Sequence, residues 1–181
     1  MSQKRVARRM KFLGLRSIIV KKFNHAGKSK TDDTKEYPNL LEQDFTTDKP
    51  SQKWVGDITY IYTKETGWTY LAIVMDLFDL KVVGWSYSTR MTETLVIDAF
   101  NKALINRGLA KGWIFNSDIG SQYTSNDYEN LLLTLNIKHS YSKKGYPYDN
   151  ASMESFNSIL KKEEVNNNTY ETIQEAKKLI F

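Results

Sequence analysis

Cysteine is absent from the 181 residues, which excludes disulfides and thiolate zinc sites and fits a reducing cytoplasm. Histidine is scarce, and His25 and His139 lie too far apart in sequence to suggest a metal motif. Long apolar runs are missing as well. The longest unbroken aliphatic stretch, Leu71-Ala72-Ile73-Val74-Met75, is far too short to span a bilayer. The basic start lacks the apolar segment of a signal peptide, so the chain reads as soluble, intracellular and without a membrane partner. Acid is missing from the first 30 residues, which carry ten Lys or Arg; the remainder holds 16 basic and 21 acidic residues. The overall charge of +5 therefore hides two opposed parts. The N-terminal part is the element suited to seek phosphates, although such a run also fits a solvated, disordered tail.

With 40% hydrophobic and 26% charged residues, the chain suits one globular domain and an appendage. Residues 2–13 predict a short helix. Val6, Met10 and Leu13 share a face, Arg5, Arg8, Arg9 and Lys11 occupy the others, and Gly14 can end it. Residues 1–23 are read as a basic helical segment, 24–50 as an extended polar linker with two of the three prolines, and 51–181 as the core. Strands are expected at 53–62, 68–77 and 81–88, where Trp, Tyr, Val and Ile are frequent and the intervening turns are short enough for an antiparallel meander. A helix over 92–107, a strand over 113–116, a helix over 125–135 and a strand over 137–141 follow. A helix capped by Asp149 and running to about 165 comes next, then one over 169–181. This order predicts an α/β fold, a five-stranded mixed sheet flanked by helices.

Three carboxylates occupy distinctive surroundings on that framework. Asp57 lies in Trp54-Val55-Gly56-Asp57-Ile58-Thr59-Tyr60, where an unpaired buried carboxylate would cost several kcal/mol; a bound cation accounts for it, and so does a strand-edge position or a basic partner. Asp118 precedes Ile119-Gly120, which suits close backbone approach to a ligand and equally an ordinary turn. Glu154 follows 35 intervening residues after Asp118 and shares a helical face with Lys161, with Ser158 nearby. Converging carboxylates are hard oxygen donors suited to Mg²⁺ or Mn²⁺, the ions of phosphoryl transfer. Asp76, another acid in an apolar strand, is read as structural or supporting, and Asp79, Asp98 and Asp127 as turn, helix-surface and capping residues. Before the Glu154 helix, Lys143-Lys144-Gly145-Tyr146-Pro147-Tyr148 could grip phosphates and stack on unpaired bases, or be a polar surface loop.

Taken together these residues resemble the catalytic subunit of bacterial insertion-sequence transposases, the OrfB type, and more distantly retroviral integrase cores. The resemblance rests on Trp54–Tyr60, Ser117-Asp118 with Gly120-Ser121-Gln122-Tyr123-Thr124-Ser125, Ser142-Lys143-Lys144-Gly145, Tyr148-Asp149-Asn150-Ala151, Met153-Glu154-Ser155-Phe156 and Leu160-Lys161. It implies an RNase H-like fold with Asp57, Asp118 and Glu154 as an Asp-Asp-Glu triad. Two Mg²⁺ ions, replaceable by Mn²⁺, would be held there in the presence of DNA. Lys161, Lys143 and Lys144 would contact DNA, and the N-terminal helix would add affinity or meet a partner. The partners implied are element-end and target DNA, further copies of the chain, and an upstream helix-turn-helix subunit, in the bacterial cytoplasm at the nucleoid. Asn116 stands where relatives usually have histidine, and Ile119 where they have a polar residue; both are expected at the rim of the site. Relatives extend beyond both ends, implying an incomplete chain. A DNA-binding remnant without catalysis and an RNase H-type nuclease are the alternative readings.

Overall fold

The computed structural model describes residues 2–15, 37–108, 112–143 and 145–181. One five-stranded sheet organises them, in the order β3-β2-β1-β4-β5. The strands are β1 (Lys53–Thr63), β2 (Gly67–Asp76), β3 (Lys81–Ser88), β4 (Ile114–Ser117) and β5 (Lys138–Tyr141). Short turns make β1–β2 and β2–β3 antiparallel, whereas β4 and β5 arrive by way of helices and pair parallel. The mixed sheet expected from the sequence is present.

The helices are α1 (Gln3–Phe12), α2 (Glu93–Arg107), α3 (Asn126–Thr134), α4 (Ala151–Leu160) and α5 (Ile173–Ile180). Alternation along the strands sends residues to two cores. On one face Trp54, Ala72, Val74 and Phe115 pack with Leu95, Val96, Ala99 and Phe100 of α2 and Tyr128 and Leu132 of α3. On the other, Val55, Ile61, Leu71, Ile73 and Met75 pack with Met153 of α4, Ala176 of α5 and Leu41. The continuous apolar run of β2 follows from this double coverage. None of the helices among the described residues is long and apolar enough to cross a membrane.

Several local expectations are corrected. Asp149 does not cap α4. It lies in a 3-10 turn (Pro147–Asn150), and its buried carboxylate accepts hydrogen bonds from Asn39 Nδ2 (3.0 Å), Gln43 Nε2 (2.8 Å) and the Lys143 amide (3.0 Å). The single helix expected to reach 165 is α4 followed by a π-helical turn (Lys161–Val165). The last helix begins at Ile173, because Tyr170 is instead drawn into a bridge with Thr63; the Thr172 hydroxyl caps it from Glu175 N. Ser125, not Asp127, caps α3, accepting from Tyr128 N. Of the stretch read as a linker, residues 24–36 lie outside the described residues. Residues 37–41 run beside β5: Pro38 O accepts from Tyr141 N, and Ser140 Oγ accepts from the Leu40 and Leu41 amides.

Candidate active site

The parallel register pairs Val55 with Asn116, so two residues further on Asp57 comes level with Asp118 as β4 ends. Asp57 points to the α4 face, like Val55 and Ile61. Two glycines shape the ground around it. A Cβ on Gly56 would lie 2.5 Å from Phe115 Cζ and 3.2 Å from the Tyr123 hydroxyl, so any side chain there would have to displace the Phe115 ring. After Asp118, the Gly120 amide donates to Asp118 Oδ1 at 3.1 Å, and a Cβ there would approach that oxygen to 2.9 Å. Gly120 is needed for this close approach rather than for a left-handed turn.

Burial, with the negative charge of Asp118 second, pushes the Asp57 carboxyl up to about 7; the Ile58 amide, the Lys161 charge and the Asn157 hydrogen bond oppose the rise. Solvent still reaches Asp118 at the strand end, but the protein around it raises its carboxyl too, against the Gly120 hydrogen bond. Tyr123, buried behind Gly56, has its hydroxyl proton held tightly by burial and then by the charges of Asp57 and Asp118. These shifts describe two carboxylates sharing a site with too little positive charge.

Glu154 stands exposed on α4, one turn before Asn157. It is Asn157 that reaches the first carboxylate, donating from Nδ2 to Asp57 Oδ2 at 2.7 Å. Among the described residues no three His, Cys, Asp or Glu side chains lie close enough together to hold one metal ion. The structure thus brings together Asp57, Asp118, Asn157 and the Lys161 charge, with Glu154 on the same helical face. A divalent cation fits this donor set. The carboxylates are hard oxygens short of positive charge, and Asn157 Oδ1 beside them is buried without a hydrogen bond from the protein. Asn157 was missed in the sequence although the signal was there, since it falls three residues after Glu154 and four before Lys161.

The other expected residues are placed as follows. Lys143 is exposed, while Lys144 lies outside the described residues. Arg5, Arg8 and Arg9 are exposed on α1. Asn116 is not at the rim: it is fully buried, and its Nδ2 donates to Ser142 Oγ (3.0 Å) and Asp149 O (3.3 Å). Asp76 is structural, fully buried and accepting from the Ser51 and Phe78 amides, with Arg107 Nε at 4.0 Å.

Comparison with known proteins gives a consistent picture. Residues 47–147 match the integrase core domain family, and residues 135–180 match a second family of the same description. The chain is 43% identical to the transposase for insertion sequence element IS904 of Lactococcus lactis, over 98% of this chain and 70% of that protein. It is 45% identical to transposase InsF of insertion sequence IS3A from Escherichia coli K12, over 88% of this chain and 55% of that protein. Among solved structures it resembles a chain of the simian T-cell lymphotropic virus intasome bound to PP2A regulatory subunit B56 gamma. That match has a TM-score of 0.61 at 25% identity and covers 72% of this chain and 47% of the other. It also resembles the HTLV-2 integrase catalytic core domain in complex with magnesium, with a TM-score of 0.51 at 26% identity over 62% of this chain and 68% of that one. The fold is the RNase H-like arrangement of retroviral integrase cores.

Proposed function

The chain belongs to the integrase core domain family of insertion-sequence transposases, and we propose that it is a DNA transposase core that nicks element ends and joins their 3′-OH to a new phosphodiester. The observation that carries this reading is the Asp57–Asp118 pair, two carboxylates raised by burial and, at Asp57, by the neighbouring charge, where β1 and β4 part. Asp57 and Asp118 would hold divalent metal, with Glu154 completing an Asp-Asp-Glu set from α4. Magnesium in the HTLV-2 integrase core and the hard oxygen donors here support Mg²⁺, as two ions, with Mn²⁺ as substitute. Bound there, the metal supplies Lewis acidity and charge neutralisation for displacement at phosphorus.

The chain's own residues do the rest. Asn157 holds Asp57 in orientation through Oδ2, Gly120 N holds Asp118 through Oδ1, and the buried Tyr123 fills the space behind Gly56. Lys161, close enough to bias Asp57, would face the DNA phosphates beside the carboxylates. Lys143 and Lys144 would bind the backbone ahead of α4, and Arg5, Arg8 and Arg9 would add salt-sensitive affinity. In this reading residues 1–23 are a DNA- or partner-binding segment joined through 24–50 to the core at 51–181. The protein would act in the bacterial cytoplasm, at the nucleoid, as a multimer pairing two DNA ends with an upstream helix-turn-helix subunit.

A disintegration assay on branched DNA with Mn²⁺, the reverse of strand transfer, tests this. Wild type should release the strand, whereas Asp118→Asn and Glu154→Gln should lose at least a hundredfold in rate, as about 3 kcal/mol of lost charge stabilisation implies. Asp118→Asn should still bind DNA. Undiminished turnover in purified Asp118→Asn would refute the assignment.

A further inference from the structure

A chain of hydrogen bonds runs from the surface of α3 to the backbone of Asp118. Glu129 Oε1 lies 2.8 Å from His139 Nδ1, and the same oxygen accepts from the Tyr141 hydroxyl. His139 Nε2 lies 2.9 Å from Ser117 Oγ, and Ser117 Oγ donates to the Asp118 carbonyl at 2.9 Å. Ser117 is fully buried, and the His139 side chain is only 6% exposed. An acid, a histidine and a serine in this order resemble a nucleophile triad. Here no substrate can reach the serine, and its proton is directed at the neighbouring peptide.

Counting protons ties these bonds to the charge on the ring. A serine hydroxyl has one proton, and Ser117's is committed to the Asp118 carbonyl, so Nε2 must carry a proton to meet Oγ. Nδ1 must carry another to meet an ionised Glu129. With Glu129 ionised, all three bonds coexist only when His139 is an imidazolium. The groups around the ring are Glu129 and Tyr128 from α3, Tyr141 from β5, and Ser117 and Phe115 from β4, with Tyr37 on the far side of Tyr141.

We propose that Glu129, His139 and Ser117 form a positioning relay that fixes the peptide after Asp118 and is complete only while His139 is charged. It rests on the reading of Asp118 as a member of the catalytic site. When the imidazolium gives a proton to solvent, Nδ1–H stays with Glu129, whose oxygen is also held by Tyr141. Nε2 then becomes an acceptor, the Ser117 hydroxyl turns toward it, and the Asp118 carbonyl is released. That carbonyl begins the turn in which Gly120 N steadies Oδ1 of Asp118.

Nitrogen NMR of the full chain tests the relay without metal or DNA. With only two histidines, a His25→Gln variant settles the ring assignment. Neutral His139 should carry its proton on Nδ1, the opposite of the usual preference of a free imidazole. The Ile119 amide, whose peptide contains the Asp118 carbonyl, should shift in step with the His139 titration. Ser117→Ala should abolish that coupling. A neutral Nε2–H form, or an Ile119 amide indifferent to His139, would overturn the relay. In the disintegration assay Glu129→Gln should cost about tenfold where wild-type His139 is charged, the worth of one hydrogen bond, and nothing where it is neutral. A loss equal at both pH values would mark a purely structural role and also overturn it. Activity retained by Asp118→Asn would instead sink the reading of the site while leaving the NMR result intact.

Discussion

Replacing Asp57 by Asn should make the metal-free protein more stable, a counterintuitive result for a residue of the proposed active site. The amide is close in shape to the carboxyl, and its oxygen can still accept the bond from Asn157 Nδ2. What disappears is a charge that burial and Asp118 disfavour. The folded-state carboxyl is raised from its ordinary 3.8 to about 7, so between those values the folded protein holds a proton that the unfolded chain has released. Stability is then fully present below pH 4 and declines as pH rises through about 7. The full span corresponds to roughly 4 kcal/mol, and partial access of Asp57 to solvent lowers the expectation to about 2 kcal/mol. Urea denaturation in EDTA at pH 4, 6 and 8 reads this directly. Asp57→Asn should match wild type near pH 4 and exceed it by about 2 kcal/mol at pH 8. Added Mn²⁺ should narrow the gap by stabilising only wild type. A variant less stable than wild type at pH 8, or a gap unchanged between pH 4 and 8, would refute the electrostatic account of the site.

Gly56→Ala should destabilise the fold by about 1–3 kcal/mol, seen as a lowered melting temperature, because the new Cβ would sit 2.5 Å from Phe115 Cζ; an unchanged melting temperature would show that the ring has room to move. Asp149→Ala should cost about 3 kcal/mol by stranding Asn39, Gln43 and the Lys143 amide, and limited proteolysis should then cut within 37–50 before it cuts the sheet. Protection of that stretch equal to wild type would disprove the anchoring role of Asp149.

The sheet was legible because its signals are local. Frequent Trp, Tyr, Val and Ile and short turns mark β1 to β3. The end of the chain was read less well. A π-helical turn at Lys161–Val165 leaves no distinctive periodicity, and Tyr170 is helical by pattern but is drawn off by pairing with Thr63, more than a hundred residues away. The same limit applies to Asp149, a good cap by type whose carboxylate is claimed instead by Asn39 and Gln43.

By itself the sequence determined the strands, most of the helices and the family, since residue type and spacing carry that information. Only tertiary structure decided which of them meet. Parallel pairing of β1 with β4 brings Asp57 level with Asp118, and the packing of α4 presents Asn157 rather than Glu154 to the first carboxylate. His139, unremarkable in sequence, acquires its partners because β5 lies beside β4 and beneath α3, with Ser117 on one side and Glu129 on the other. Distances across a sheet depend on register and packing, which no single segment encodes.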